Sequence, residues 1–447
     1  MTSVHELIRG AAEREAAARD TDARAPRVHA TPHRKPIALR ATGISSCDTG
    51  LTGDPWAIDR DPGYGPGASA ADGIPGDAPR QGPLPARYTE ASDEQLNDWI
   101  LAAKATLGER VQILGHFYQR DEIVQHADFV GDSFMLAQAA KGHPEAEAFV
   151  FCGVHFMAET ADILSEDHQA VILPNLAAGC SMADMATIEQ VEDCWRELTR
   201  TLGPVEEGAL QPVIPVTYMN SSAAIKAFCG RNGGIVCTSS NARTVLEWAF
   251  ERGQRVVFFP DQHLGRNTAK AMGISEEHMP LWRPHLALGG NTAQQLRDSR
   301  VILWNGFCSV HKRFTVAQIE QARIDFPGVR VVVHPECPAA VVEAADGAGS
   351  TEYIRKEIEA AEPGSVIAVG TEINLVNRLQ QQRPDLTIFC LDPVVCPCST
   401  MYRIHPAYLA WTLEALIAGE TLNQVRVSDA VAGDSRVALE RMLAAKP

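Results

Sequence analysis

Residues 300–308 read RVILWNGFC, an apolar run that breaks into a short polar turn and ends on a cysteine. A run of this length, rich in β-branched and large apolar side chains, is the pattern of a buried strand, and the Asn-Gly pair after it marks a turn. The same pattern recurs at 171–180 (VILPNLAAGC) and at 386–398 (LTIFCLDPVVCPC), so three strands far apart in the chain each lead into a loop carrying a cysteine. Outward from these, with the run at 171–180 beginning as AVILP from Ala170, seven further runs have strand character: VQILGHF from Val111, AFVFCGV from Ala148, VIPVTY from Val213, GIVCTSS from Gly234, RVVFFPD from Arg255, RVVVHPE from Arg330 and SVIAVGT from Ser365. Amphipathic stretches of helical length separate them. Alternation of this kind predicts βα units and parallel sheets. Ten such runs exceed one small doubly wound sheet. The expected fold is therefore α/β with three related domains that meet at the carboxyl ends of their strands, where open α/β sheets place ligands.

Composition narrows the function. The chain has 447 residues, enough for more than one domain, and its 45% hydrophobic content is that of a packed protein. A formal charge of −16 and the lack of any Lys/Arg run exclude an extended nucleic-acid surface. No apolar run approaches the roughly 18 residues of a membrane span, and the start MTSVHE has no basic-then-apolar signal pattern. A cytoplasmic location is expected. Residues 20–88 are rich in Pro, Gly, Asp, Ala and Arg without periodicity and read as a flexible extension in which Cys47 is incidental.

Eleven cysteines in a reducing compartment are buried hydrophobes, reactive thiols or metal ligands rather than a disulfide framework. Cys180, Cys308 and Cys398 match no local signature such as paired CxxC knuckles. Three thiolates suit an iron–sulfur cluster or zinc, and three ligands leave one coordination position open, which points to Lewis-acid chemistry. Several strands end in polar signatures: GHFY with His116 and Tyr118, SVHKRF with His311, and VVVHPE with His334 and Glu336. A strand-terminal histidine followed by proline and a carboxylate is an awkward core sequence, because proline stops the ladder and the carboxylate needs a partner. In CTSSNA and GSTEYI, hydroxyl residues open a helix whose free N–H groups attract phosphate or carboxylate. Hydroxyl caps without any ligand are equally compatible with these two segments.

Together, GHFYQRDEI, GDSFMLAQ, CGVHFMAETA, LPNLAAGCSMAD, TYMNSSAAIKA, CTSSNA, PDQHLG, WNGFCSVHKRF, HPEC, GSTEYI and CSTMYRI resemble the quinolinate synthase family from about residue 95 to the end. The resemblance implies three Rossmann-like parallel-sheet domains related by pseudo-threefold symmetry around a central 4Fe-4S cluster. It assigns the cluster to Cys180, Cys308 and Cys398, with one iron open to substrate and Cys396 as the competing third ligand. It implies Tyr118, Glu336 and His311 as catalytic residues, the first two as an acid–base pair whose pKa values the site would draw toward neutrality. His116, Ser133, Tyr218, Asn220, Ser239, His334, Ser350 and Thr351 are the implied substrate contacts. The implied reaction condenses iminoaspartate with dihydroxyacetone phosphate to give quinolinate, with an aspartate-oxidising enzyme as the upstream source. Cys152, Cys237 and Cys390 read as core, and Cys337 as a neighbour of the site.

The expected division is an extension at 1–90 followed by α/β domains at 91–190, 191–313 and 314–447, carrying Cys180, Cys308 and Cys398 in turn. Two competing readings are a cluster-dependent hydro-lyase acting on one hydroxy acid, and a non-catalytic iron–sulfur sensor or zinc-stabilised binding protein. Paired anion-binding segments favour condensation over the first, and the HPE and GHFY residues are unexplained by the second.

Overall fold

The computed structural model describes residues 81–204, 208–394 and 397–445. Cys47, Cys396 and most of the expected extension lie outside these residues. Fourteen strands and the intervening helices form three sheets. The first contains β1 (Val111–His116), β2 (Phe129–Gly131), β3 (Ala148–Cys152) and β4 (Ala170–Ile172). The second contains β5 (Ile214–Tyr218), β6 (Ile235–Cys237), β7 (Val256–Phe259), β8 (Leu281–Trp282) and β9 (Val301–Trp304). The third contains β10 (Arg330–Val333), β11 (Gly347–Ala348), β12 (Val366–Gly370) and β13 (Thr387–Cys390), and β14 (Gln424–Val425) returns to the first sheet. Each of the ten runs read as strands holds one of these strands, and the four others (β2, β8, β11, β14) are two or three residues long.

The sheets share one order. They run β2-β1-β3-β4, β6-β5-β7-β9 and β11-β10-β12-β13, with β8 added outside β9 and β14 outside β4. All pairings are parallel except β14 with β4. In each sheet the first strand lies between the second and the third, so the winding reverses beside it and opens a crevice at its carboxyl end. The central strands are continuous apolar runs because helices cover both faces: Phe149, Val150, Val256, Val257, Val332 and Val369 have no exposed surface. Each such side chain contributes about 1.5–3 kcal/mol relative to its exposed state.

Local signals agree with this plan. Capping boxes open four helices, at Ser92/Gln95, Thr187/Gln190, Thr292/Gln295 and Thr315/Gln318. The helix Asp429–Ala444 crosses back onto the helix Ala223–Arg231, where Ser435 Oγ donates to the Ala223 carbonyl. Gly230 permits this crossing, since a Cβ there would lie 1.9 Å from the Asp434 carbonyl oxygen. No helix among the described residues is long and apolar enough to cross a membrane.

Candidate active site

Sheet order brings the same strand of each sheet to one place. The first strands end in His116 and Tyr118 (β1), Tyr218 and Asn220 (β5), and His334 and Glu336 (β10), and all six line one cavity. After the second strands, Ser133, Ser239 and Thr351 line it at or near helix starts. After the fourth strands of the shared order come Cys180, Cys308 and Cys398, on the same cavity. His311 completes the set, and Val154, Phe156, Met157, Met182, Met219 and Met401 supply an apolar wall. Of the residues expected from the sequence, Ser350 alone is not on the cavity surface. Its Oγ caps the helix Thr351–Glu359 by accepting from Tyr353 N–H at 3.2 Å.

A single hydrogen-bonded chain links the three sheets. Tyr118 Oη lies 3.1 Å from Thr351 Oγ1 and 2.8 Å from Thr371 Oγ1. Thr371 Oγ1 is 3.0 Å from His311 Nε2, and His311 Nδ1 is 2.8 Å from Glu336 Oε2. Tyr218 Oη donates to Glu336 Oε1 at 2.7 Å. With Glu336 ionised, every link has one donor if Tyr118 donates to Thr371, Thr371 to His311 Nε2, and His311 Nδ1–H to Glu336. The His334 ring stacks on His311 at 4.4 Å, and its Nδ1 accepts from the Glu336 N–H. His116 Nδ1 accepts the Tyr118 N–H in the same way.

Electrostatics separate the expected acid–base pair rather than drawing it together. Burial and the nearby Glu336 carboxylate push Tyr118 well above the ordinary phenol range. Burial works against ionisation of Glu336, but its electrostatic interactions with the His311 and His334 rings and the hydrogen bonds from His311 and Tyr218 outweigh it and hold the carboxyl low. Tyr118 therefore keeps its proton at neutral pH and Glu336 does not. Burial lowers His116 and His334 to about 3, so both imidazoles are neutral.

Two groupings bear on metal binding. Among the described residues, one set of three His, Cys, Asp or Glu donors has all its atoms within 4.8 Å of one another: Cys308, His311 and Glu336, a possible metal-binding group. Both ring nitrogens of His311 and both oxygens of Glu336 are already engaged in the chain above. The three cysteine sulfurs do not form such a set, so at least one pair of them lies more than 4.8 Å apart, beyond the roughly 3.8 Å that one tetrahedral zinc sets between its thiolates. They nonetheless face one cavity and sense each other's charge.

The sequence profile described as quinolinate synthetase A protein matches residues 99–444. The chain belongs to this family. It is 67% identical over 384 residues to a quinolinate synthase of Corynebacterium glutamicum, covering 86% of this chain and 96% of that one. A quinolinate synthase of Streptomyces coelicolor is 54% identical over 363 residues (80% and 91% of the two chains), and that of Rhodopirellula baltica 52% over 370 (80% and 93%).

Residues of the site that sequence reading passed over lie after the third strands of this family member. Thr371, the joint of the hydrogen-bonded chain, follows β12 and was read only as the tail of SVIAVGT. Glu372 beside it is fully buried and accepts the Cys398 N–H at 3.2 Å while capping the helix Ile373–Gln382. Asp261, after β7, caps the helix Gln262–Ala271 by accepting the Leu264 N–H at 2.7 Å, and the backbone beside it pairs with Gly306 in the turn that leads to Cys308. A hydroxyl placed directly after an apolar strand, as in VIAVGT, was the available signal for Thr371.

Proposed function

We propose that the chain is a quinolinate synthase, an enzyme of NAD biosynthesis that condenses iminoaspartate with dihydroxyacetone phosphate and releases phosphate and water. The observation that carries this reading is the meeting, in one cavity, of three cysteines with a proton-transfer chain and helix-start hydroxyls. The cysteine spacing fits a cluster better than a single ion, and Cys180, Cys308 and Cys398 would hold a 4Fe-4S group. When bound, that group would supply Lewis acidity at an iron without a protein ligand.

The chain's own residues account for the rest. Ser133, Ser239 and Thr351 would bind carboxylate and phosphate oxygens, the hydroxyls adding to N–H groups at helix starts. Neutral His116 and His334, with Asn220, would orient the substrates by hydrogen bonds. Tyr118 holds a proton at Oη and is placed to deliver it, and ionised Glu336 is placed to accept one. Thr371 and His311 connect the two, so a proton taken up at Glu336 can return to Tyr118 without entering solvent once His311 changes tautomer and each link reverses its donor. The methionine and phenylalanine wall excludes water, which would hydrolyse iminoaspartate.

The shared strand order supports grouping the α/β units at 91–190, 191–313 and 314–447, with β14 and the last helix reaching back across the first two sheets. A cytoplasmic setting accords with nine free cysteines among the described residues. An aspartate-oxidising enzyme is the natural supplier of the unstable imine. The test is quinolinate formation by anaerobically purified, iron- and sulfide-replete protein given dihydroxyacetone phosphate and freshly generated iminoaspartate. Turnover that disappears in Cys308→Ser supports the reading. No turnover from protein with an intact cluster overturns it.

A further inference from the structure

The cavity is built to receive anions yet has no basic wall. Its proposed contents are thiolates, carboxylates and a phosphate, but among the described residues no lysine or arginine lines it. A cation does lie directly behind it. Lys226, in the helix Ala223–Arg231, has no exposed surface and is the most deeply buried basic side chain among the described residues. Its Nζ donates to the Ser221 carbonyl at 2.5 Å and lies 5.4 Å from the ring centroid of Phe156, which with Met219 forms the wall. Ser221 follows Tyr218, Met219 and Asn220 at the end of β5, so the ammonium grips the segment that carries three cavity residues.

The environment of Lys226 is specific. Glu159, on the helix His155–Leu164 of the first sheet, is buried, and its Oε2 accepts the Ala223 N–H at the start of the lysine's own helix. His155 Nδ1 stands 3.8 Å from Glu159 Oε1. Burial pulls Lys226 down to about 8, and Glu159 first, then Cys229 and Cys180, act against that fall. The lysine is thus still charged at neutral pH. A buried ammonium is strongly disfavoured unless something nearby is negative. Glu159 offsets part of that cost, and an anionic cavity would offset more.

We propose that Lys226 is a positioning residue of this site, whose buried ammonium supplies positive potential through the Phe156–Met219 wall and fixes the Tyr218–Asn220 turn, with Glu159 setting how much of that charge reaches the cavity. This rests on the quinolinate synthase reading. Two isosteric changes test it with opposite signs. In iron- and sulfide-replete protein, Lys226→Met removes a positive charge and should move the reduction potential of the cluster to more negative values. Glu159→Gln unmasks the ammonium and should move it to more positive values. KM for dihydroxyacetone phosphate should rise on the order of tenfold in Lys226→Met, and Lys226→Arg should recover part of the loss.

A merely structural lysine would lower thermal stability in both variants without shifts of opposite sign. Equal potentials in wild type and both variants, or shifts in one direction, overturn the inference. If Lys226→Met does not fold, Glu159→Gln decides alone, since an unchanged potential there is also contrary. Wild-type protein with neither cluster signal nor product would instead defeat the functional reading.

Discussion

The ends of the first strands and the ends of the third strands occupy neighbouring places in each sheet, yet they do different work. Residues after β1, β5 and β10 present His116, Tyr118, Tyr218, Asn220, His334 and Glu336 to the cavity. Residues after β3, β7 and β12 mostly hold the cysteine loops. The His155 N–H donates to the Ala178 carbonyl, the Gln262 N–H beside Asp261 donates to the Gly306 carbonyl, and Glu372 takes the Cys398 N–H. On the proposed reading, one position in the fold supplies groups for chemistry, and the next supplies the groups that keep cysteines in place. Buried carboxylates therefore appear on both sides of the comparison with opposite meanings: Glu336 is held ionised with the help of hydrogen bonds from His311 and Tyr218, and Glu372 is consumed by backbone donors.

The sharpest way to break this comparison is to neutralise the first-strand carboxylate. Glu336→Gln keeps the shape but removes the charge and leaves one acceptor oxygen for the two donors His311 and Tyr218. We expect kcat for quinolinate formation to fall by about 10²–10⁴-fold while cluster content is unchanged. A variant within a few-fold of wild type would show that Glu336, too, is only support.

Next in size is a carboxylate that supports structure away from the cavity. Asp162, on the helix after β3, accepts the Val427 N–H at 2.7 Å and so fixes the segment after β14. Burial raises it from the ordinary 3.8 to about 6, with the Val427 bond and Arg426 opposing. Because the folded-state pKa is the higher one, the folded protein binds this proton more tightly than the unfolded chain. The resulting stability is fully present below about pH 4 and is lost as pH rises through about 6, by at most about 3 kcal/mol. Asp162→Asn should flatten that part of the stability–pH curve measured by urea unfolding between pH 4 and 7. An unaltered curve would mean that this carboxyl is ionised throughout.

Glu372→Ala addresses the third-strand ends directly. It strips the cap from Asn374 and Leu375 and the acceptor from the Cys398 N–H. The expected cost is about 2 kcal/mol. Iron retention after gel filtration should fall with it, and it should fall more than in Glu336→Gln. Equal retention in the two variants would erase the distinction between support and chemistry.

Much of this was legible because parallel-sheet strands are buried on both faces, so RVILW, RVVV and VIAVG stand out as unbroken apolar runs. First-strand residues were equally visible, since His-Pro-Glu and His-Phe-Tyr have no reason to end a core strand. The short strands β2, β8, β11 and β14 were not, because two or three residues carry no period. Glu372 and Asp261 were missed for another reason. A carboxylate before a helix looks like any solvent-exposed cap, and only packing shows that these two are fully buried. The separation of the Tyr118 and Glu336 pKa values was likewise beyond the sequence, since it depends on which neighbours close around each group.

Thr371 is the residue that crosses the divide. It follows a third strand, as the loop-holding residues do, but its hydroxyl joins Tyr118 to His311 at 2.8 and 3.0 Å inside the site. Thr371→Val keeps volume and β-branching and deletes only that joint. If the proton passes between Glu336 and Tyr118 through it, kcat should fall about tenfold with KM nearly constant, and the solvent isotope effect on kcat should change. Stability and iron content should stay close to wild type, unlike Glu372→Ala one residue away. A Thr371→Val enzyme with unaltered kcat would place this residue with the loop-holding group, and the two catalytic ends of the chain would then exchange protons independently.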